Sequence, residues 1–369
     1  MNWRKLFQVL GIVAALLSLM PLVAADFWWI RIFDFPHLLL TSFTFIAIIL
    51  YFFVFKPKFI NDYTYILILI ACFGFQLTKI IPYTFLYPTE LLETQKVSNQ
   101  QNDISLYVVN VLQKNKDQSA VIKDIKNVNP DIVLALETDQ KWANSFRTKL
   151  QNKYPFVVEQ PQDNTYGMLL YSKLPLSDTK INFLVDKEIP SIETKATTSQ
   201  GEIIQLYAVH PTPPMPQHNP MSSDRDKELM LVALKAHESE LPVVIMGDFN
   251  DVIWSDATQL TQRIGKLLDP KKGRGFYNSY HAEYFPLRWP LDHILVSNDF
   301  RFVAMETRPY VGSDHYPLYL KVSLESEIKE EQPVQIIEKQ DWQRCKDQMS
   351  KNGMSSFLEL PNQLRDLMN

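Results

Sequence analysis

The sequence predicts an α+β fold: two packed β-sheets flanked by helices, carried behind an N-terminal bundle of about three transmembrane helices. Two observations carry this. Residues 7–83 are very apolar and aromatic, whereas the chain from Lys96 onward has the mixed charge of a water-facing domain. Beyond residue 103, short strand-like runs follow one another with few helical patterns between them, which favours packed sheets over a purely parallel doubly wound sheet.

The first apolar segment, 7–25, carries no charge before Ala25, and 37–55 is similar. Each reaches the roughly 20 residues that cross a bilayer core. A third, 63–83, contains Lys79 close to its end, where a long side chain can reach the interface. His37 and Lys79 are the clear ionisable residues of these spans, both near span ends, which argues against a transport path. Arg4 and Lys5 precede the first span, only Arg31 lies between the first and second, and Lys56 and Lys58 follow the second. The positive-inside rule therefore puts the N-terminus in the cytoplasm and the domain outside it, at the cytoplasmic (inner) membrane. Phe27, Trp28 and Trp29 would form an interfacial belt. Val23-Ala24-Ala25 also admits a cleaved signal peptide, which would leave two spans.

Residues 84–103 gain Gln, Asn and Ser and read as a linker. The domain then spans 104–323. Its strand candidates are 104–112, 131–137, 166–172, 202–210, 243–246, 291–297, 301–310 and 315–324, with helices at 118–128 and, capped by Ser223, to about Glu240. The charged tail, 324–369, holds a helical pattern at 341–349 and reads as solvated. Cys72 and Cys345, the two cysteines, lie in different environments and support neither a disulfide framework nor a cysteine zinc site. A net charge of −4 argues against a broadly basic nucleic-acid surface.

Polar residues collect at strand ends: Asn110, Glu137, His210, Asp248, Asn250, Asp292, Asp314 and His315. Such positions can gather at one edge of a sheet. Hard divalent cations take oxygen ligands, which makes Glu137, Asp248 and Asp314 candidates. Each residue also has a plainer reading. Glu137 could start a helix, "GDFN" could be an Asx-turn, His210 a loop histidine, and "SDH" a capped turn.

In order, "NVL", "PDIVLALE", a strand ending in His, "GDFN", "LDHILVS" and "GSDHYPL" resemble the endonuclease/exonuclease/phosphatase superfamily, here in a membrane-anchored bacterial form, over residues 103–323. That superfamily includes pancreatic-type deoxyribonucleases, abasic-site endonucleases, neutral sphingomyelinases and inositol polyphosphate 5-phosphatases. The resemblance implies a four-layer sandwich and hydrolysis of phosphate esters with Mg²⁺ or Mn²⁺. By the same resemblance Glu137 binds the metal, Asp314 lies near it, and Asn110 arranges metal and phosphate. Asp248 orients or deprotonates the attacking water, Asn250 bonds a phosphoryl oxygen, and Asp292 polarises His315; whether Asp248 or His315 is the base stays open.

His210 stands where abasic-site endonucleases have Tyr, so the resemblance leans toward the deoxyribonuclease, sphingomyelinase and 5-phosphatase branches. Two departures stand out. Val111 replaces a polar residue after Asn110, and "YHAEYFPLRWP" places Tyr284, Arg288 and Trp289 where relatives contact substrate, unless that loop is simply packed. Lys271, Lys272 and Arg274 could steer phosphate or form a solvated turn. The expected partners are a phosphate-ester substrate, nucleic acid first and phospholipid headgroup second, and membrane lipid around the helices. An inactive receptor or scaffold with the same fold is the reading from another class.

Overall fold

A computed structural model describes residues 3–23, 25–55, 59–95 and 102–350. The N-terminal part comprises α1 (Trp3–Leu19), a short α2 (Trp28–Arg31), α3 (His37–Phe55) and α4 (Ile60–Ile80). Two helical stretches, Arg4–Leu22 and Ile60–Tyr83, are long and apolar enough to cross a membrane. A third candidate is the pair Trp28–Asp34 and His37–Phe52, bent by 67°. At one end of this bundle Arg4 pairs with Asp62, and the Tyr51 hydroxyl donates to the same carboxylate at 2.7 Å. The start of α1 thus lies beside the start of α4. The elbow joining α1 to α3 and the end of α4 meet the rest of the chain.

The elements that follow are β1 (Asp103–Asn110), α5 (Gln118–Val128), β2 (Ile132–Leu136), α6 (Gln140–Leu150), β3 (Phe156–Gln160), β4 (Met168–Ser172), β5 (Leu176–Asn182), β6 (Ser191–Thr197) and β7 (Ile203–Val209). Then come α7 (Ser223–Glu238), β8 (Val243–Asp248), α8 (Asp256–Ile264), β9 (Leu267–Leu268), β10 (Asp292–Ser297), β11 (Phe300–Thr307), β12 (Leu318–Leu324) and α9 (Lys339–Ser350). One sheet runs β11-β12-β1-β2-β4-β3, the other β5-β6-β7-β8-β10-β9.

The pleat sorts the side chains. In β1, Leu106 and Val108 enter the core between the sheets, meeting Leu206, Val244 and Ile294, while Tyr107 and Val109 face outward onto Phe146 of α6 and Val121 of α5. Leu229, Val232 and Ala236 of α7 cover the other sheet, at the helical spacing that makes one apolar face. The result is helix, sheet, sheet, helix.

β1 and β2 are parallel, as are β7 and β8, so Asn110, Glu137, His210 and Asp248 leave their strands at the same edge. β10 runs antiparallel to β8 and pairs Asp292 with Asp248. Gly247 permits the close approach of β7 to β8: at φ 151°, a Cβ there would lie 1.9 Å from the Val209 carbonyl oxygen.

Several sequence expectations change. Ser223 is the first residue of α7 and the N-cap position is Ser222, whose hydroxyl donates to Asp226 at 2.9 Å. The tail helix α9 is not solvated, because Cys345 and Met349 pack on Met230, Ala233 and Leu260. Within the expected linker, Leu91 is buried in the core and the Thr94 amide bonds the Phe302 carbonyl at 2.9 Å, so residues 84–95 lie along the domain. Residues 96–101 and 351–369 fall outside the described residues.

Lys271, Lys272 and Arg274 neither steer nor project. Lys271 is fully buried with Nζ on the Asp292 carbonyl at 2.6 Å, Lys272 pairs with Glu90 at 3.0 Å, and Arg274 lies 3.7 Å over the Phe302 ring. Both cysteines are buried and free.

Candidate active site

The site is assembled around Asn110 at the end of β1. Its Nδ2 donates to Glu137 Oε1 at 2.8 Å and to Asp248 Oδ2 at 3.1 Å, bridging the two sheets, and its Oδ1 accepts from the Leu112 amide at 3.0 Å. Glu137, directly after β2, holds a left-handed φ of 59°, costly for a side-chain-bearing residue and typical of sites where geometry is over-determined. Its other oxygen accepts from the Gln113 amide at 3.3 Å. Burial raises its carboxyl above the ordinary range and Asp314 adds to the rise, opposed by the Asn110 hydrogen bond.

Asp248 uses its two oxygens differently. Oδ1 accepts from the Asn250 amide at 2.9 Å, closing an Asx-turn. Oδ2 faces His315 Nε2 at 3.6 Å and His210 Nε2 at 3.9 Å. Turn and site geometry therefore coexist in "GDFN". Burial lifts the Asp248 carboxyl to about 7. Asn250 is left-handed at φ 52°, and its Nδ2 donates to the Pro211 carbonyl at 3.0 Å.

His315 Nδ1 donates to Asp292 Oδ2 at 2.7 Å. Burial alone would lower its pKa, but the carboxylates of Asp292 and Asp248 overcome this and raise it well above the ordinary histidine range. The Ser313 hydroxyl donates to the Asn110 carbonyl at 2.7 Å and accepts from the His315 amide at 3.1 Å, so the "SDH" turn is pinned to β1. Asp314 stays partly exposed beside Glu137. His210 is buried and its pKa falls to about 3, through desolvation first and the charge of His315 second. Its Nδ1 and Asp292 Oδ1 have no hydrogen-bond partner among the described residues.

All eight strand-end candidates therefore meet at one edge. The predicted substrate residues do not all join them. Trp289 packs toward Phe35 of the elbow, ring centroids 6.4 Å apart, Arg288 bonds the Ala282 carbonyl at 2.9 Å, and Tyr284 is exposed.

Sequence reasoning missed Gln113 and Arg225 as supports, and it read Lys271 as steering phosphate or solvated and Tyr280 as part of the substrate loop. Gln113 holds Glu137, and Lys271 holds the Asp292 carbonyl. Tyr280 lies against His315 at 4.9 Å, and Arg225 binds the Asn250 carbonyl at 2.9 Å while pairing with Asp226 and Asp251. Their types and spacing carry no signal by themselves, because each acts through a contact made only in the folded chain.

Asp248, Asp292 and His315 bring potential ligand atoms within 4.8 Å of one another, and this buried group could bind a metal. A family model described as the endonuclease/exonuclease/phosphatase family matches residues 108–315, more than half of the chain. The chain belongs to that family. Endonuclease/exonuclease/phosphatase enzymes hydrolyse phosphate esters with divalent metals, and two solved structures show the same fold. D. rerio TDP2 complexed with single strand DNA product is 16% identical, with a TM-score of 0.50 over 60% of this chain and 99% of that one. The human Nocturnin catalytic domain with bound sulfate anion is 13% identical, with a TM-score of 0.51 over 66% of this chain and 99% of that one. No curated protein sequence matches the chain.

Proposed function

We propose that the protein is a membrane-anchored, metal-dependent phosphodiesterase, with the domain from residue 104 to 323 as its catalytic unit. The observation that supports this most is the convergence of His210 and His315 on Asp248 Oδ2, with Asp292 behind His315. Asp248 takes the proton of the attacking water, because His315 between two carboxylates is held in its protonated form and is better suited to donate. His315 Nε2 then bonds a phosphoryl oxygen, joined by the second amide hydrogen of Asn250. His210, kept neutral by burial, offers an N–H hydrogen bond to the leaving oxygen, which takes its proton from solvent as the ester bond breaks.

An all-oxygen set fits a hard cation. Glu137, raised by burial and by Asp314, is an acid whose charge a cation would neutralise, Asp314 beside it would supply further oxygens, and Asn110 would hold Glu137 through its Nδ2. Mg²⁺ or Mn²⁺ held there would offset charge growing on the phosphoryl oxygens. Calorimetric titration of the full chain in detergent is expected to show binding that Glu137→Gln weakens at least tenfold, the lower end of losses on disturbing a metal site. Absence of binding would favour an inactive receptor.

Nucleic acid is the first substrate class on the sequence reading, and the single strand DNA in TDP2 agrees with it. A lipid phosphodiester is the second. The domain lies outside the cytoplasm in this reading, so protease added to intact spheroplasts of an expressing bacterium removes it. Protection would reverse the topology.

A further inference from the structure

The edge that carries the site is also the edge that docks on the helix bundle. After β7, the Pro220 carbonyl accepts from the Trp28 amide at 2.8 Å and the Ser222 amide donates to the Asp26 carbonyl at 2.8 Å. After β8, Val252, Ile253 and Trp254 pack against Ile80 and Tyr83, and Trp254 Nε1 donates to the Asp34 carbonyl at 2.6 Å. Before β10, Leu291 and Trp289 join the same cluster. The three loops that follow His210, follow Asp248 and precede Asp292 thus rest on residues 26–36 and 80–83, the elbow and end of the helices.

The loop between Tyr280 and Trp289 is held at both ends. Tyr280 lies against His315 and the Ala282 amide bonds the Asp314 carbonyl at 2.7 Å, while Trp289 reaches Phe35 at the elbow. Its tip, Tyr284-Phe285-Pro286-Leu287, is apolar and open, with Phe285 82% and Leu287 49% exposed. Phe85 and Leu86, just beyond α4, are 86% and 73% exposed, and Phe27 and Trp29 of the elbow are also exposed. Exposed apolar side chains next to one another, as at the loop tip, mark an interaction site. Aromatic residues at the ends of apolar helices belong at the bilayer interface, and the Trp289–Phe35 contact ties the loop to that end of the helices.

We infer that the rim formed by Tyr284–Leu287 contacts the lipid surface and that the site accepts the phosphodiester of a phospholipid headgroup, an inference that rests on the hydrolase reading above. A polynucleotide would need several lysines or arginines to neutralise its phosphates. Lys271, Lys272 and Arg274 are spent inside the domain, the loop after Asn110 exposes only the lysines Lys114 and Lys116, and the net charge is −4. In the reaction, water oxygen bonds phosphorus, the bond from phosphorus to one ester oxygen breaks, Asp248 receives the water proton, and the leaving oxygen, hydrogen-bonded by the neutral His210 N–H, takes a proton from solvent, to which Asp248 later returns the one it holds.

The test uses the full chain in vesicles of phosphatidylcholine, phosphatidylglycerol and sphingomyelin with Mg²⁺. Headgroup release is compared with hydrolysis of bis(p-nitrophenyl) phosphate and of a single-stranded oligonucleotide. Lipid and soluble diester are both hydrolysed, and the double variant Phe285→Ser, Leu287→Ser lowers lipid turnover about tenfold, the factor for losing roughly one apolar side chain's transfer energy, leaving the soluble diester unchanged. Soluble diester or oligonucleotide cleaved with lipid untouched, or both activities falling together in the variant, overturns the lipid inference alone. No hydrolysis of any kind overturns the hydrolase reading and this inference with it.

Discussion

Asp248→Asn is expected to lower turnover about 10²–10⁴-fold, the usual contribution of a positioned general base, with little change in KM. The substitution keeps an oxygen for the Asn250 amide, so the turn survives while the negative charge facing His315 and His210 is lost. A steady-state comparison on bis(p-nitrophenyl) phosphate, with melting curves to verify folding, measures it. Turnover within a few-fold of wild type would remove Asp248 from the chemistry. His315→Ala should lose activity comparably, and non-additively in the double variant, because the two act as one unit.

The second large effect is on stability. Arg225 is 1% exposed and forks between Asp226 at 2.8 Å, Asp251 at 3.1 Å and the Asn250 carbonyl at 2.9 Å. Arg225→Met leaves buried carboxylates without their cation, which costs about 3–5 kcal/mol when one partner of a buried pair is removed. Arg225→Lys should fall between, since an ammonium cannot reproduce the planar fork. Thermal unfolding in detergent should show a large drop for Met and a smaller one for Lys. An unchanged transition for Met would mean that water or rearrangement satisfies these acids.

The parts of the fold visible in the sequence are those where burial writes a pattern. β1, β2, β8 and β10 are enclosed between layers and read as apolar runs, and the α5 limits expected from sequence coincide with Gln118–Val128. β5, "LSDTKIN", is polar because it is an edge strand with an exposed centre, and β6, "SIETKAT", alternates too weakly to stand out. α6 and α8 are short, and their starts are set by Asp139 and Ser255 caps that resemble ordinary turn residues. Lys271 and Lys272 were misread because charged residues in a Gly-containing stretch are usually solvated. Here Asp269, Glu90 and a backbone carbonyl take up their charge in the interior. Similarly, α9 has a weakly apolar face whose partners, α7 and α8, lie far off in sequence.

The strand-end residues of the candidate site were legible because they leave their strands at fixed places in the order of the chain. Their supports were not. Gln113, Tyr280 and Arg225 act through contacts that spacing cannot foretell, and Trp289, expected at the substrate, packs toward Phe35 of the elbow.

The central claim is that water attacks phosphorus at the edge where Asp248, His210 and His315 meet. It is tested most directly by incubating the full chain and its Asp248→Asn variant with Mg²⁺ and a phosphodiester in H₂¹⁸O, then locating the label. The account predicts ¹⁸O in the phosphorus-containing product of the wild type and almost no product from the variant. Label in the released alcohol, or equal product from both proteins, would contradict it.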